Sequence, residues 1–214
     1  MQKAFKKLPP DRQKEILDAA ARVFAGKGYH RASIPAICKE AGVSNGALYK
    51  YFRNKEEVYL SVLNHGIDLM IHDLFRKYTA HADSLFEALE TLFVGLRRFT
   101  NRYRPYVEMW VDLSSCSMNR FAAGISERVE TEGRKLFRQL IEEAKRKGEV
   151  DKALSTDLAA YALDCHLTLY TYSLVSTYHR NRYSAFFKDG RRSVSSREKI
   201  ALTVESAKQV LGRG

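Results

Sequence analysis

The sequence predicts an all-α protein. Strand patterns are nearly absent, because no run of alternating apolar and polar residues lies between two turn sequences. The one Asp-Gly pair, Asp189–Gly190, lies in a basic segment, and the last of the four prolines is Pro105. Apolar residues at helical spacing run through most of the chain. We therefore expect helices along the 214 residues, as a short N-terminal domain and a longer helical bundle.

The first predicted helix runs from about Asp11 to Ala25. Asp11 is a favourable N-cap, and Gly26 and Gly28 end the helix. Its apolar residues form one stripe at helical spacing. They are Ile16, Ala19, Ala20, Val23 and Phe24.

Two short helices follow. The second predicted helix begins after Ser33, a natural N-cap, and tolerates Pro35 in its first turn. Gly42 ends it, and Ser44 caps a third helix that runs to about Tyr51. Three residues, one of them glycine, thus join the two helices, which is the pattern of a helix-turn-helix. The second helix of this motif normally enters the major groove of DNA.

Longer helices fill the rest of the chain. The fourth helix opens with "NKEE", where Asn54 and Glu57 have the spacing of a capping box. The segment from Arg180 to Ser196 is basic and rich in turn residues, so we expect a linker or a broken helix. The predicted longer helices lie near 55–78, 84–103, 105–120, 122–147, 155–180 and 196–212.

The charge of the chain favours a polyanionic partner. Its net charge is +11, which is typical of proteins that bind nucleic acid or an anionic membrane surface. Residues 1–57 hold twelve Lys or Arg and six Asp or Glu, so over half of the excess lies in about a quarter of the chain. Lys3, Lys6 and Lys7 form an arm that either follows DNA phosphates or is a solvated tail.

The third helix has one inward face and one opposite arc. At about 100° per residue, Leu48 and Phe52 point together towards the first two helices. Gly46, Ala47 and Lys50 lie opposite, where two very small side chains let the backbone approach a groove floor. Ala47 can contact a thymine methyl, and Lys50 can reach a guanine edge or a phosphate.

The neighbours of this arc complete the predicted DNA-contact set. Asn45 can bond a base edge, and the hydroxyls of Tyr49 and Tyr51 can reach phosphates on both groove walls. Lys55 can hold a phosphate together with the first backbone N–H groups of the fourth helix. The full predicted set is Ser33, Ser44, Asn45, Gly46, Ala47, Tyr49, Lys50, Tyr51 and Lys55.

The segment "ILDAAARVFAGKGYHRASIPAICKEAGVSNGALYKYFRNKEEV", Ile16 to Val58, resembles the DNA-binding domain of TetR/AcrR-type transcriptional regulators. Where that family usually has Thr and Ala, this chain has Ala32 and Cys38, so Ser33 would supply the hydroxyl that contacts phosphate. The matching positions are Ala20, Phe24, Gly28, Tyr29, Ser33, Ile34, Ile37, Ala41, Gly42, Val43, Ser44, Gly46, Leu48, Tyr49, Phe52 and Lys55.

The resemblance covers about the first 60 residues and implies an all-helical homodimer that binds a DNA operator. It implies a helix-turn-helix domain, placed here at 1–57. It also implies a C-terminal domain, placed at 58–214, that dimerises and binds a small effector, which relieves repression of transcription. A dimer fits palindromic DNA, because two reading helices about 34–36 Å apart enter successive major grooves.

The C-terminal half is rich in aromatic residues. Most of these are expected in the core, but phenols need polar partners, and an apolar cavity with a few polar groups suits a small molecule. We therefore expect a hydrophobic or aromatic effector. The candidate wall residues are Phe99, Tyr103, Met109, Trp110, Leu113, Phe137, Tyr161, Cys165 and Thr168.

The predicted helix at 155–180 is apolar on two faces. One face can pack in its own domain and the other on a second subunit, or both can lie in the core of a monomer. The last helix has a similar stripe, so two helices from each chain would form a four-helix interface. The predicted interface residues are Leu158, Ala162, Leu169, Tyr172, Ile200, Val204, Ala207 and Leu211.

Other function classes predict different features. His65, Asp68 and His72 share roughly one helix face, which is either a metal site of a sensor or bundle protein or a polar face at a domain junction. A purely architectural DNA binder would not need the long aromatic domain. No dinucleotide, P-loop or nucleophile-elbow motif is present, so we expect neither an enzyme nor a cofactor.

The remaining sequence features favour a cytoplasmic protein with no membrane partner. Cys38, Cys116 and Cys165 lie far apart without a Cys-x-x-Cys pair, so we expect reduced thiols. The N-terminus lacks the apolar stretch of a signal peptide, and no apolar run approaches the ~20 residues of a membrane span.

Overall fold

The computed structural model describes residues 2–78, 82–187 and 194–212, and every regular element in those ranges is a helix. The all-α prediction is therefore confirmed. A π-helix spans Ile71–Phe75, and a 3₁₀ turn spans Cys116–Met118. The α-helices are α1 (Lys3–Lys6), α2 (Pro10–Arg31), α3 (Ile34–Ala41), α4 (Asn45–Tyr51), α5 (Lys55–Met70), α6 (Arg76–Tyr78), α7 (Leu85–Arg102), α8 (Arg104–Leu113), α9 (Asn119–Lys147), α10 (Thr156–Val175), α11 (Thr177–Phe187) and α12 (Ser196–Leu211).

The chain divides into two compact units. The first contains residues 1–69 and 103–126, and the second contains residues 70–102 and 127–214. Helix α8 and the start of α9 thus belong to the same unit as the N-terminal helices. The predicted domain boundary after residue 57 does not coincide with this division and stays a prediction about function.

Four aromatic rings form the centre of the first unit. Phe24 on α2 lies 5.0 Å from Tyr59 on α5, measured between ring centroids. Tyr29 lies 5.0 Å from Tyr59 and 4.7 Å from Phe121 on α9. Gly28 makes this possible, because its φ of 70° and ψ of 162° bend the last turn of α2 through a region that favours glycine. The regular helix is therefore interrupted at Gly28, as the sequence predicts, and the residues after this kink carry Tyr29 into the core.

Helix α8 packs against α2 in the first unit. The hydroxyl of Tyr106 on α8 donates a hydrogen bond to Asp18 on α2 at 2.7 Å. The ring also lies against Gly66 on α5, where an added Cβ would come within 3.0 Å of the Tyr106 Cδ1 atom. Glycine at this position thus permits the close approach of α5 and α8.

Helices α7, α10 and α12 form the centre of the second unit. Phe93 on α7 meets Tyr170 on α10 at 5.2 Å between ring centroids. Helix α12 packs against both of these helices and begins with a capping box between Ser195 and Glu198. Its buried stripe consists of Ile200, Val204, Ala207 and Leu211.

Two predicted long helices are interrupted. The helix predicted over 55–78 changes to a π-helix after Met70. The helix predicted over 155–180 ends at Val175, because Ser176 is extended and its hydroxyl accepts the N–H of His179 at 3.4 Å. A serine side chain that bonds nearby backbone competes with the helix and starts a new one. Helix α11 thus occupies the first part of the predicted linker, and residues 188–193 of that linker lie outside the described ranges.

Candidate nucleic-acid interface

The predicted caps form the turn between α3 and α4. Ser33 accepts the N–H of Ala36 at 3.4 Å, and Ser44 accepts the N–H of Ala47 at 3.1 Å. Gly42 has a left-handed conformation, with φ 62° and ψ 40°, which an L side chain adopts only with strain. The turn therefore follows from local chemistry. Both serines are exposed, and each hydroxyl keeps its own proton for a phosphate oxygen.

One face of helix α4 is buried in the first unit, and the opposite face is exposed. Leu48 and Phe52 are each only 1% exposed and fix the helix to its unit. Asn45, Gly46 and Lys50 are exposed on the other side. A Cβ added to Gly46 would meet nothing within 4 Å, so the fold itself does not require glycine there.

The N-terminal arm is a folded element. Phe5 on α1 is fully buried, with its ring 4.8 Å from that of Phe52 and 5.8 Å from that of Tyr51. The N–H of Gln2 also donates to the carbonyl of Tyr51 at 3.0 Å. The interpretation as a solvated tail is therefore wrong for α1. A single phenylalanine among the lysines of "KAFKK" was the feature that could have indicated this packing.

The two tyrosines of α4 differ in exposure. Tyr49 is 53% exposed and is free to meet a phosphate. Tyr51 is half-buried, and its ring packs on Phe5 of α1. Less of the Tyr51 side chain is therefore accessible to DNA. Its predicted phosphate contact stays a prediction.

Lys55 is tied into the fold. Its ammonium donates to three carbonyl oxygens near the end of α2: those of Tyr29 at 2.8 Å, Ala32 at 3.0 Å and His30 at 3.2 Å. An ammonium has three protons, so all of its donors are used. This geometry corrects the prediction that the Lys55 side chain holds a phosphate. The backbone N–H groups at the start of α5 are what remains there for an anion.

The start of α5 departs from the predicted capping box in one bond. Asn54 accepts the N–H of Glu57 at 2.8 Å, as the pattern predicts. The carboxylate of Glu57, however, accepts the N–H of Arg53 at 2.6 Å. That backbone hydrogen bond lowers the pKa of Glu57 below its ordinary value.

The basic residues of the first unit divide into structural and unpaired ones. Arg12 pairs with Glu15 and also donates to the carbonyl of Ala41, and Arg22 pairs with Glu40 at 2.7 Å. These cations hold α2 and α3 together. Six exposed lysines have no carboxylate within ion-pair distance in the described ranges. They are Lys3, Lys6, Lys7, Lys27, Lys39 and Lys50.

The predicted effector wall is divided between the two units. Tyr103, Met109, Trp110 and Leu113 belong to the first, and the other five belong to the second. Tyr161 is 69% exposed, and its predicted role in the effector wall stays a prediction. Phe99 and Phe137 are buried, whereas Cys165 and Thr168 are half-buried. The rest of the wall stays a prediction.

The predicted dimer residues differ in exposure. The four residues on α12 are at most 7% exposed and contribute to the core of their own unit, and their contact with a second subunit stays a prediction. On α10, by contrast, Leu158 is 70% and Leu169 is 50% exposed, and Ala162 and Tyr172 are half-buried. Exposed apolar residues at helical spacing therefore remain on α10 alone among the predicted residues. The four buried residues are Ile200, Val204, Ala207 and Leu211.

The candidate metal residues do not form a site. Within 2–78, 82–187 and 194–212, no three His, Cys, Asp or Glu side chains come together as metal ligands. His65 lies 5.8 Å from the Tyr106 ring, and burial lowers the pKa of this histidine. Asp68 and His72 are exposed, and His72 lies in the π-helix.

Two further expectations concern thiols and membranes. Cys38 and Cys165 are free thiols, and burial raises the pKa of Cys38, while the side chain of Cys116 lies outside the described part. Among the described helices, none combines the length and the apolar content that a membrane span requires.

Comparisons with known proteins agree with this geometry. Residues 16–62 match the family described as "Bacterial regulatory proteins, tetR family". The fatty acid metabolism regulator protein of Bacillus subtilis is 40% identical over 70 residues, 31% of this chain and 36% of that protein. The HTH-type transcriptional activator FasR of Mycolicibacterium smegmatis is 35% identical over 106 residues, 48% of each. The matched part thus spans between a third and a half of these curated relatives.

Solved structures extend the likeness in fold to nearly the whole chain. The fatty acid degradation regulator FadR from Bacillus halodurans has a TM-score of 0.70 at 24% identity, over 96% of this chain and 97% of that one. FadR from Bacillus subtilis in complex with stearoyl-CoA has a TM-score of 0.65 at 18% identity, over 93% and 97%. At these identities the likeness concerns the fold.

The chain is all-helical, and α4 is held by buried residues on one face while small residues leave its other face open. This arrangement is that of a helix-turn-helix DNA-binding regulator rather than an enzyme. The sequence comparison places residues 16–62 in the tetR family of bacterial regulatory proteins, and the fold of nearly the whole chain is similar to that of a solved TetR-family transcriptional regulator from Chloroflexus aurantiacus.

Proposed function

We propose that this regulator is a repressor that binds a palindromic operator as a homodimer and is released by an acyl-coenzyme A. The observation that carries the DNA-binding part is the face of α4 around Gly46, which no protein atom fills. Leu48 and Phe52 hold the helix from behind. Asn45, Ala47 and Lys50 are left to contact base edges. Because only these three residues are left to contact base edges, the shape of the DNA supplies part of the specificity.

The exposed face of α10 supports the dimer. Leu158, Tyr161 and Leu169 are each at least half exposed, and a run of apolar side chains at helical spacing is typical of a protein interface. On α12, Val210 is 55% exposed and Leu202 is half-buried, so these two residues are further candidates for the interface. Two copies joined this way would present two recognition helices to one palindrome.

The effector class is supported by the relatives. The Bacillus subtilis relative is a fatty acid metabolism regulator, and a solved structure of similar fold contains stearoyl-CoA. An acyl chain fits the hydrophobic effector expected from the aromatic second half of the chain. The metal-sensing alternative receives no support, because its three residues do not come together.

The release of DNA requires a two-state element. Helix α5 and the π-helix that follows it are where the chain passes from the first unit into the second. An effector that binds one arrangement of this segment better than the other shifts the population towards it, by no more than the difference in binding free energy. We infer that this shift changes the separation of the two recognition helices.

A mobility-shift titration with a palindrome from the protein's own promoter tests the proposal. Binding is expected to weaken steeply with salt and to depend on the palindrome sequence. Palmitoyl-CoA should then release the DNA, whereas palmitate alone should be less effective. Sequence-independent binding, or a complex that palmitoyl-CoA tightens, would overturn the operator or the repressor assignment respectively. As a control for the loss of one positive charge, Lys152→Ala, an exposed change on the loop after α9, should bind and release the operator as the wild type does.

A further inference from the structure

Helix α1 is a short basic element, and hydrogen bonds at both of its ends tie it to the first unit. The backbone N–H of Gln2 donates to the carbonyl of Tyr51 at 3.0 Å, and the side-chain amide of Gln2 donates to the carbonyl of Tyr49 at 3.5 Å. At the other end, the carbonyl of Leu8 accepts the side-chain amide of Gln13 on α2 at 2.8 Å. Helix α1 is therefore held against α4 and α2 before any partner binds.

The burial of Phe5 against Phe52 fixes the direction in which the charges of α1 face. At about 100° per residue, Lys3, Lys6 and Lys7 share one face of α1, and Phe5 lies on the opposite face. All three lysines are exposed and, within the described ranges, have no carboxylate at ion-pair distance. Like charges three and four positions apart on a helix repel each other, so an anion at this face would relieve the repulsion.

The position of α1 indicates which anion would bind there. Helix α1 packs at the C-terminal end of α4, where free carbonyl groups carry a partial negative charge that repels phosphate. Gln2 occupies two of these carbonyls, and the lysine face adds positive charge beside them. Two residues predicted to contact phosphate near this end have roles in the fold, because Lys55 donates to carbonyls and the Tyr51 ring packs on Phe5. Helix α1 thus supplies cations for a phosphate backbone beside α4.

We propose that α1 is a second DNA-contact element, whose face of Lys3, Lys6 and Lys7 binds the phosphates beside the major groove that α4 enters. Phe5 is the positioning residue that holds this face in place. Because phosphate contacts carry no sequence information, α1 adds to the affinity for DNA and leaves the choice of sequence to α4. The assignment rests on the proposed binding of operator DNA and names a further part of the chain that makes it.

The salt dependence of DNA binding by the full-length protein tests the lysine face. Each phosphate contact contributes about 0.9 to the slope of log affinity against log salt concentration. The triple variant Lys3→Gln, Lys6→Gln and Lys7→Gln should therefore lower the magnitude of this slope by about 2–3 for each bound protomer. Its affinity should fall by at least about tenfold at 0.1 M salt, for the operator palindrome and for a scrambled duplex alike.

A second triple variant controls for the loss of three positive charges. It changes three exposed cations of the second unit and should keep the slope of the wild type. The changes are Arg98→Gln, Lys152→Gln and Arg197→Gln.

Phe5→Ser separates a docked element from a mobile basic tail. This variant keeps all three lysines but loses the side chain that packs on Phe52, so its slope should also fall towards that of the lysine variant. Circular dichroism shows whether the variant keeps its helices. The lysine variant, which changes only exposed residues, decides by itself if Phe5→Ser does not fold.

The contrary outcomes distinguish failure of this contact from failure of the proposed function. An unchanged slope in the lysine variant, with the palindrome still preferred, would overturn the contact and leave operator binding intact. Wild-type affinity and slope in a folded Phe5→Ser variant would assign the lysines to a mobile tail and overturn the docked element. If the wild type binds all sequences alike and the lysine variant still loses slope, the α1 contact stands and the operator proposal fails.

Discussion

The hydroxyl of Tyr106 donates a 2.7 Å hydrogen bond to Asp18, which joins α8 to the middle of α2. The second carboxylate oxygen of Asp18 pairs with Lys14. Burial and the Asp18 carboxylate hold the pKa of Tyr106 far above its ordinary value, so the phenol remains a donor at physiological pH. Because α2 also packs on α3, this bond connects α8 to the helix that supports the DNA-binding motif.

Tyr106→Phe should remove this bond while the ring stays packed against Gly66. The half-buried Asp18 would lose a hydrogen-bond donor, so we expect a loss of about 1–2 kcal/mol in the free energy of unfolding, measured in urea. Tyr49→Phe removes an exposed hydroxyl and should leave the unfolding midpoint unchanged. Equal midpoints for Tyr106→Phe and wild type would show that the bond does not stabilise the first unit.

Gly46→Ala should affect stability and DNA binding in opposite directions. A Cβ at this position meets no protein atom, and alanine favours helix over glycine by up to ~1 kcal/mol, so the variant should be as stable as wild type or more stable. The same methyl would occupy the space in front of α4 that we assign to DNA, so operator affinity should fall by about tenfold. Thermal unfolding and a mobility shift on one preparation test both. A variant that keeps full affinity would show that the backbone of α4 does not approach the groove closely.

Substitutions of Lys50 and of Lys55 should differ in their effects on stability and on DNA binding. Lys55→Met leaves three carbonyls at the end of α2 without their shared donor, so we expect a loss of about 1–3 kcal/mol in the free energy of unfolding. Lys50→Ala removes an exposed side chain and should leave stability within about 0.5 kcal/mol. In binding assays, Lys50→Ala should relax the preference for one operator sequence over its mutated versions. Similar unfolding midpoints for the two variants would contradict the structural role of Lys55.

The contrast between these lysines shows what the sequence could predict. The caps at Ser33, Gly42 and Ser44 were predictable, because each depends on residues three or four positions away and on backbone conformations that few side chains favour. The ammonium of Lys55 meets carbonyls more than twenty residues earlier in the chain, which no local pattern specifies. The pairing of Phe5 with Phe52 was missed for the same reason.

The predicted dimer interface on α10 and α12 shows that sequence patterns also do not specify which helices pack together. Periodicity correctly predicted apolar stripes on α10 and α12, but a stripe does not reveal which partner covers it. The stripe on α12 packs within its own unit, whereas part of the stripe on α10 is exposed. The predicted effector wall depends on residue type alone, and its members lie in both compact units.

Substitutions on the two stripes should separate dimerisation from folding. Leu169→Glu places a charge on the exposed α10 face and should yield a folded monomer with weak operator binding. Val204→Asp buries an unpaired carboxylate in the second unit and should unfold it, or cost about 3 kcal/mol or more in the free energy of unfolding. Light scattering and circular dichroism measure these outcomes. A fully dimeric Leu169→Glu would move the interface away from α10.

The carboxyl of Asp164 on α10 gives the second unit a predictable pH dependence. Burial, and then the charge of Glu130, raise its pKa from 3.8 to about 6. The native state therefore favours the protonated acid, whereas the unfolded chain ionises near the ordinary value. Stability is unaffected by this group below about pH 4, falls as the pH rises from about 4 to about 6, and stays lowered above that. Asp164→Asn removes the titrating group. The free energy of unfolding of this variant should therefore exceed that of the wild type by an amount that grows across that interval to about 1–2 kcal/mol at pH 7. Urea unfolding between pH 4.5 and 7.5 measures the difference, with the exposed change Glu90→Gln as the control for loss of one carboxylate. A gain that is constant with pH would show that Asp164 ionises alike in the native and unfolded states.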